Sequence, residues 1–155
     1  MFEVLPGVGL VLPRGAGLLR FGMPERGAQW AVATLADVRR TWVCGTGWSF
    51  SASYEGLDLL VCGDTADRWG RAEHTVDGLA LVHLTRCGGD AAARGPAAVP
   101  VVLGDVDVFG YPAGEVLDAL TASPQPNVIL PAAPSPAGCL TGILLSPTET
   151  RLSAG

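Results

Sequence analysis

A Phe-Gly-x-Pro pattern that occurs twice constrains this chain more than any other feature. Phe21-Gly22-Met23-Pro24 returns in the second half as Phe109-Gly110-Tyr111-Pro112. Val11-Leu12 precedes the first copy and Val102-Leu103 the second. Helical spacing follows each: Ala28, Val32, Leu35 and Ala36 after the first, Val116, Leu117 and Leu120 after the second. A proline at the first helical position sacrifices no hydrogen bond, and Glu25 and Glu115 then meet the positive end of the helix dipole. The echo predicts one strand–turn–helix unit built twice, over 11–36 and 102–120.

The rest of the chain reads as strands. Trp48, Phe50, Ala52 and Tyr54 alternate with Ser49, Ser51 and Ser53, the period of a strand with one buried face. Leu57–Cys62 and Leu79–Leu84 are apolar runs, Arg40–Cys44 is short and β-prone, and Gly45-Thr46-Gly47 and Glu55-Gly56 supply turns. Further strands are expected near 99–103, 106–109, 127–130 and 139–145, with a rigid Pro-rich loop over 121–137. The expected fold is therefore α+β: two related strand–turn–helix halves, an antiparallel sheet, and the helices packed on one face. The expected organisation is a first half over 1–87, a connector over 88–98, a shorter second half over 99–147 and a tail over 148–155.

A strand ending in Phe-Gly-Met, echoed as Phe-Gly-Tyr in the second half and followed by a helix each time, resembles the tandem repeats of the β-lactamase inhibitory protein family and the related small outer-membrane assembly lipoproteins. The likeness covers Leu18–Leu35 and Val106–Leu120. It implies a curved sheet used as a binding surface, and it carries over no catalytic residue. This chain departs from the family in having Pro24 where Thr or Ser usually follows Phe-Gly-Met, and in lacking an equivalent cysteine pair.

Composition narrows the classes. Charged residues are 16% of the 155 and the mean hydropathy is +0.35, which excludes a disordered chain and a coiled coil. Ten arginines, with no lysine, stand against fifteen acids, for a net charge of −5. A phosphate backbone is repelled by such a chain, so no nucleic-acid partner is expected. Val4–Leu19 is broken by Pro6, Pro13 and Arg14, and the uncharged stretch 119–148 by six prolines, so no membrane partner is expected either. Cys44, Cys62, Cys87 and Cys139 form no C-x-x-C pair, and no basic n-region opens the chain. Free thiols and a cytoplasmic location are the expectation.

Catalytic patterns are scarce. No nucleophile elbow, P-loop or dinucleotide fingerprint occurs. Cys62 and His83 would form a nucleophile pair only if neighbouring strands brought them together. Asp105 and Asp107 share one face of a strand, but Asp105 follows Gly104 as a turn residue does. No catalytic residue, no metal ligand and no cofactor is expected. The stronger signal is aromatic: Trp69 stands between Arg68 and Arg71 in the charged 64–77 loop, a composition typical of binding hot spots. Trp48 and Tyr54 would join it if their strand face is open. The expected function is a non-catalytic interaction module, binding a protein partner or a second copy, or serving as a subunit of a larger assembly. The alternative is a small enzyme or ligand carrier with a pocket between the halves.

Overall fold

A computed structural model describes residues 1–64, 78–87, 95–123, 125, 127–131 and 137–147. Glycine and proline cut the first twenty residues into short pieces. β1 (Phe2–Leu5), β2 (Gly9–Leu12) and β3 (Gly17–Arg20) form a meander, with a 3-10 turn over Pro13–Gly15 before β3. The helix α1 (Glu25–Ala33) follows, then the short strand β4 (Arg39–Arg40) and the long strands β5 (Trp48–Tyr54), β6 (Leu57–Asp64) and β7 (Gly78–Arg86). β8 (Val101–Leu103), β9 (Val106–Asp107), α2 (Ala113–Thr121), β10 (Val128–Ile129) and β11 (Gly142–Leu145) complete the described elements.

These strands make two sheets. One runs β3-β2-β1-β8-β9 and the other β10-β11-β7-β6-β5-β4. All pairs are antiparallel except β1 with β8. Strand alternation sends one face of each sheet into a common core. In the first sheet Leu19, Leu10, Val4 and Leu103 lie side by side across four strands, all buried. In the second, Phe50, Val61, Val82 and Leu145 do the same, with Ala52, Leu59, Leu84 and Ile143 as the next layer. Phe2 of β1 meets Tyr54 of β5 edge to face at 6.0 Å, so the two sheets touch through aromatic rings. Glu55 and Gly56 both take positive φ (48° and 81°), the two-residue hairpin turn whose twist matches β5 and β6.

The α+β expectation is corrected here. Strands hold 42% and helices 18% of the described residues, and the sheets are two, not one. The duplicated segments do not lay their helices on one face of a single antiparallel sheet. The reason is the meander: β1 inserts between the two units, and each unit then leaves the five-stranded sheet for the six-stranded one. After β3, Gly22 N–H donates to Leu79 O (2.8 Å) and Leu79 N–H donates to Met23 O (2.8 Å). After β9, Pro112 bridges Cys139, and Ala113 N–H donates to Gly138 O (2.8 Å). Each Phe-Gly-x-Pro is thus a crossing between sheets.

Pro24 and Pro112 stand at the N-caps of α1 and α2, one position earlier than expected. Their carbonyls accept the first helical hydrogen bonds, from Ala28 and Val116, at 3.1 Å each. The core takes Ala28 and Val32 from α1, Ala113 and Val116 from α2. Leu117, expected on the inner face, is exposed. Residues 88–94 of the connector and the 148–155 tail lie outside the described residues, as do 124, 126 and 132–136 of the Pro-rich loop. Among the described residues no helix is long and apolar enough to cross a membrane.

Candidate functional site

The site begins with a strand edge. Among the described residues β4 pairs only with β5, with Arg39 opposite Ser51 and Arg40 opposite Phe50. Thr41 N–H donates to Ser49 O (3.3 Å), and Ser49 Oγ donates to Thr41 O (2.8 Å). Strand alternation then points the N–H and C=O of Arg40 away from β5. Residues 39–42 are all exposed. Cross-strand partners share a face, so the Arg40 side chain leaves on the Phe50 side and Arg39 on the Ser51 side.

Two tryptophans flank this edge. Trp42 is 84% exposed and Trp30, on α1, is 76% exposed. α1 buries Ala28 and Val32, one turn apart, and two residues along a helix is about 200° of rotation, so Trp30 points outward. Glu25 accepts the Gln29 amide (3.0 Å), tying the first turn of α1 to the second.

Two clefts border the same stretch. One, of ≈ 400 Å³, is lined by Glu25, Arg40, Thr41, Trp42, Val43, Thr46, Gly47, Trp48 and Ser49. The other, of ≈ 510 Å³, is lined by Arg26, Gln29, Trp30, Ala33, Thr34 and Val38. Glu25 of the first cleft is the chain neighbour of Arg26 in the second, and Val38 of the second stands two residues before Arg40 of the first, so the two clefts are lined from adjoining stretches of chain. Among the described residues nothing pairs with the guanidinium groups of Arg26, Arg39 or Arg40.

Of the residues the sequence singled out, Trp48 lines the first cleft, half-buried and stacked on Phe50 at 6.0 Å. Its ring occupies the space over Gly63, where a Cβ would run into the indole. Tyr54 sits at the other end of β5, half-buried against Phe2. The Trp48–Tyr54 face is therefore the core face of its sheet. Arg68, Trp69 and Arg71 lie outside the described residues. Trp30 and Trp42 were missed. For Trp30 the signal was present: it falls opposite the Ala28–Val32 stripe. Nothing in the sequence around Trp42 marks it as exposed.

The catalytic alternatives resolve differently. Leu60 pairs with His83 and Cys62 with Leu81, which puts Cys62 and His83 diagonally on one sheet face, the face away from Phe50 and Val61. Burial pushes the Cys62 thiol up and the His83 imidazole down, so both favour their neutral forms. A thiolate–imidazolium pair needs the opposite. Neither residue lines either cleft. Asp107 Oδ1 accepts the N–H groups of Val101 (3.3 Å) and Phe109 (3.2 Å), a structural role that fixes the second crossing. All four cysteines are free, Cys44 and Cys87 exposed, Cys62 and Cys139 buried. Burial, with the neighbouring Asp58 adding to it, holds the Cys87 thiol above its ordinary range. Among the described residues no three His, Cys, Asp or Glu side chains gather as metal ligands.

Compared with protein-family models, with curated proteins and with solved structures, the chain matches none.

Proposed function

We propose that this chain is a non-catalytic protein-interaction module, and that it meets its partner through α1 and residues 38–48. The observation that carries this reading is the pair of tryptophans, 76% and 84% exposed, on α1 and just past β4, around arginines that nothing pairs with among the described residues. An indole left in water gives up roughly 25 cal/mol for each Å² that could be buried. Trp and Arg are also the residues that dominate binding energy at protein interfaces. Exposed singly, a tryptophan needs no explanation; here Trp42 lines one cleft with the half-buried Trp48, and Trp30 lines the second cleft, drawn from the adjoining stretch of chain. Four free thiols support a reducing, cytoplasmic setting.

The test uses the Trp30→Ala/Trp42→Ala chain beside the wild type, each as bait in an extract of the native host. Both side chains are exposed, so each substitution should alter stability by no more than about 0.5 kcal/mol and the melting curve should hold. A protein retained by the wild type and lost by the double variant is the expected result. A lower melting temperature would place the indoles in the core, and equal retention would move the contact elsewhere.

A further inference from the structure

The strand edge at β4 indicates the kind of partner, on the premise that the interaction reading holds. Three features meet there. Its outer backbone is open: the Arg40 N–H and C=O face away from β5, and residues 39–42 are exposed. An unpaired strand edge is a template for another strand. Its side chains are basic: Arg39 and Arg40 leave on opposite faces, and Arg26 stands on the neighbouring helix, in a chain whose net charge is −5. One acid, Glu25, lines the cleft beside this edge, and its carboxylate accepts the Gln29 amide. The cleft beside the edge, lined by Arg40, Trp42 and Trp48, can take side chains that alternate off an added strand.

We propose that the partner presents an acidic extended segment, which adds as a strand along β4 and places alternate side chains in the Arg40–Trp42–Trp48 cleft. Main-chain hydrogen bonds would supply affinity and the cleft and arginines would supply choice, as in other strand additions. A second copy of this chain fits poorly. Antiparallel pairing of two β4 edges through their outward-facing Arg40 backbones sets Arg40 opposite its own copy on one face, and like charges across a pair destabilise it. The arginines thus close the edge to its own kind while leaving it open to acid.

Fluorescence anisotropy on the full chain tests this with three labelled decapeptides: a Glu/Val peptide, its Lys/Val counterpart, and the Glu/Val peptide N-methylated at alternate residues. The Glu/Val peptide is expected to bind, about tenfold more weakly when salt is raised from about 0.05 to 0.3 M. The Lys/Val and N-methylated peptides are each expected to bind at least about tenfold more weakly than the Glu/Val peptide, a cost of about 1.4 kcal/mol. Arg39→Glu/Arg40→Glu should reverse the charge preference with an unchanged melting curve. Equal binding of the N-methylated peptide overturns strand addition, and equal binding of the Lys/Val peptide overturns the acidic partner. So does displacement of the Glu/Val peptide by a single-stranded oligonucleotide at lower concentration. If a host protein is lost in the double-tryptophan variant yet no Glu/Val peptide binds at about 1 mM, a Kd worth only about 4 kcal/mol, the interaction reading stands and this inference falls.

Discussion

The two Phe-Gly-x-Pro units do the same work on the backbone and opposite work on the surface. Both carry the chain from the five-stranded to the six-stranded sheet, and both end in a proline that caps a nine-residue helix. In the second unit Phe109 is 0% exposed, and the Asp107 carboxylate holds two backbone N–H groups around it. The first unit has Leu19 where the second has Asp107, and its Phe21 is only half-buried. Its helix turns Arg26 and Trp30 outward, whereas the described part of α2 holds no tryptophan or arginine. Gly22 takes a positive φ (87°) and Gly110 does not, so what the two crossings share is the proline at the N-cap of the following helix, and the rest is free to differ. The second copy uses the remaining freedom to lock the sandwich; the first uses it to present a surface.

The largest expected effect separates the two phenylalanines. Phe109→Ala should cost about 3–5 kcal/mol in chemical denaturation, the range for a fully buried aromatic. Phe21→Ala, removing a half-buried ring, should cost clearly less. Equal losses would break the contrast between a locking and a presenting copy. Next comes Asp107→Ala, which strands the N–H groups of Val101 and Phe109 and should cost about 1–3 kcal/mol. If stability is unchanged, the carboxylate does not hold the second crossing. The smallest effect involves no stability change. Cys44 is exposed beside the β4 edge, and Cys139 is buried against Pro112 at the second crossing. Iodoacetamide on native protein should label Cys44 and leave Cys139 until denaturant is added. Labelling of Cys139 in the native state would mean that the second crossing opens in the folded protein.

Much of the local structure was legible. The Trp48–Tyr54 alternation became β5 with the same bounds, because one face of that strand is buried and the other is lined with serine. Glu55-Gly56 gave its hairpin because two adjacent positive φ values are what that turn demands. The prolines marked both helix starts within one residue. What the sequence hid was non-local. The four-residue strands among Gly7, Gly9 and Gly17 carry too little periodicity to be counted. Without β1, the two units look like neighbours in one sheet, and the division into two sheets disappears. Of the site, Trp48 was legible as part of an aromatic face. That face proved to be core, and Trp48 reaches the cleft only because it stands at the end of β5. Trp30 could have been found from the helical stripe it avoids. Trp42 could not, since its exposure follows from β4 ending at Arg40 on an open edge.

Site-specific photocrosslinking tests the division of labour most directly. Benzoylphenylalanine placed at Trp42, 84% exposed beside the first unit, is compared with the same probe at Tyr111, 55% exposed within the second. Irradiation in the native host should give one discrete adduct from position 42 and none from position 111. An adduct of the same partner from position 111, with none from position 42, would contradict the account by putting the contact on the copy that locks the sandwich.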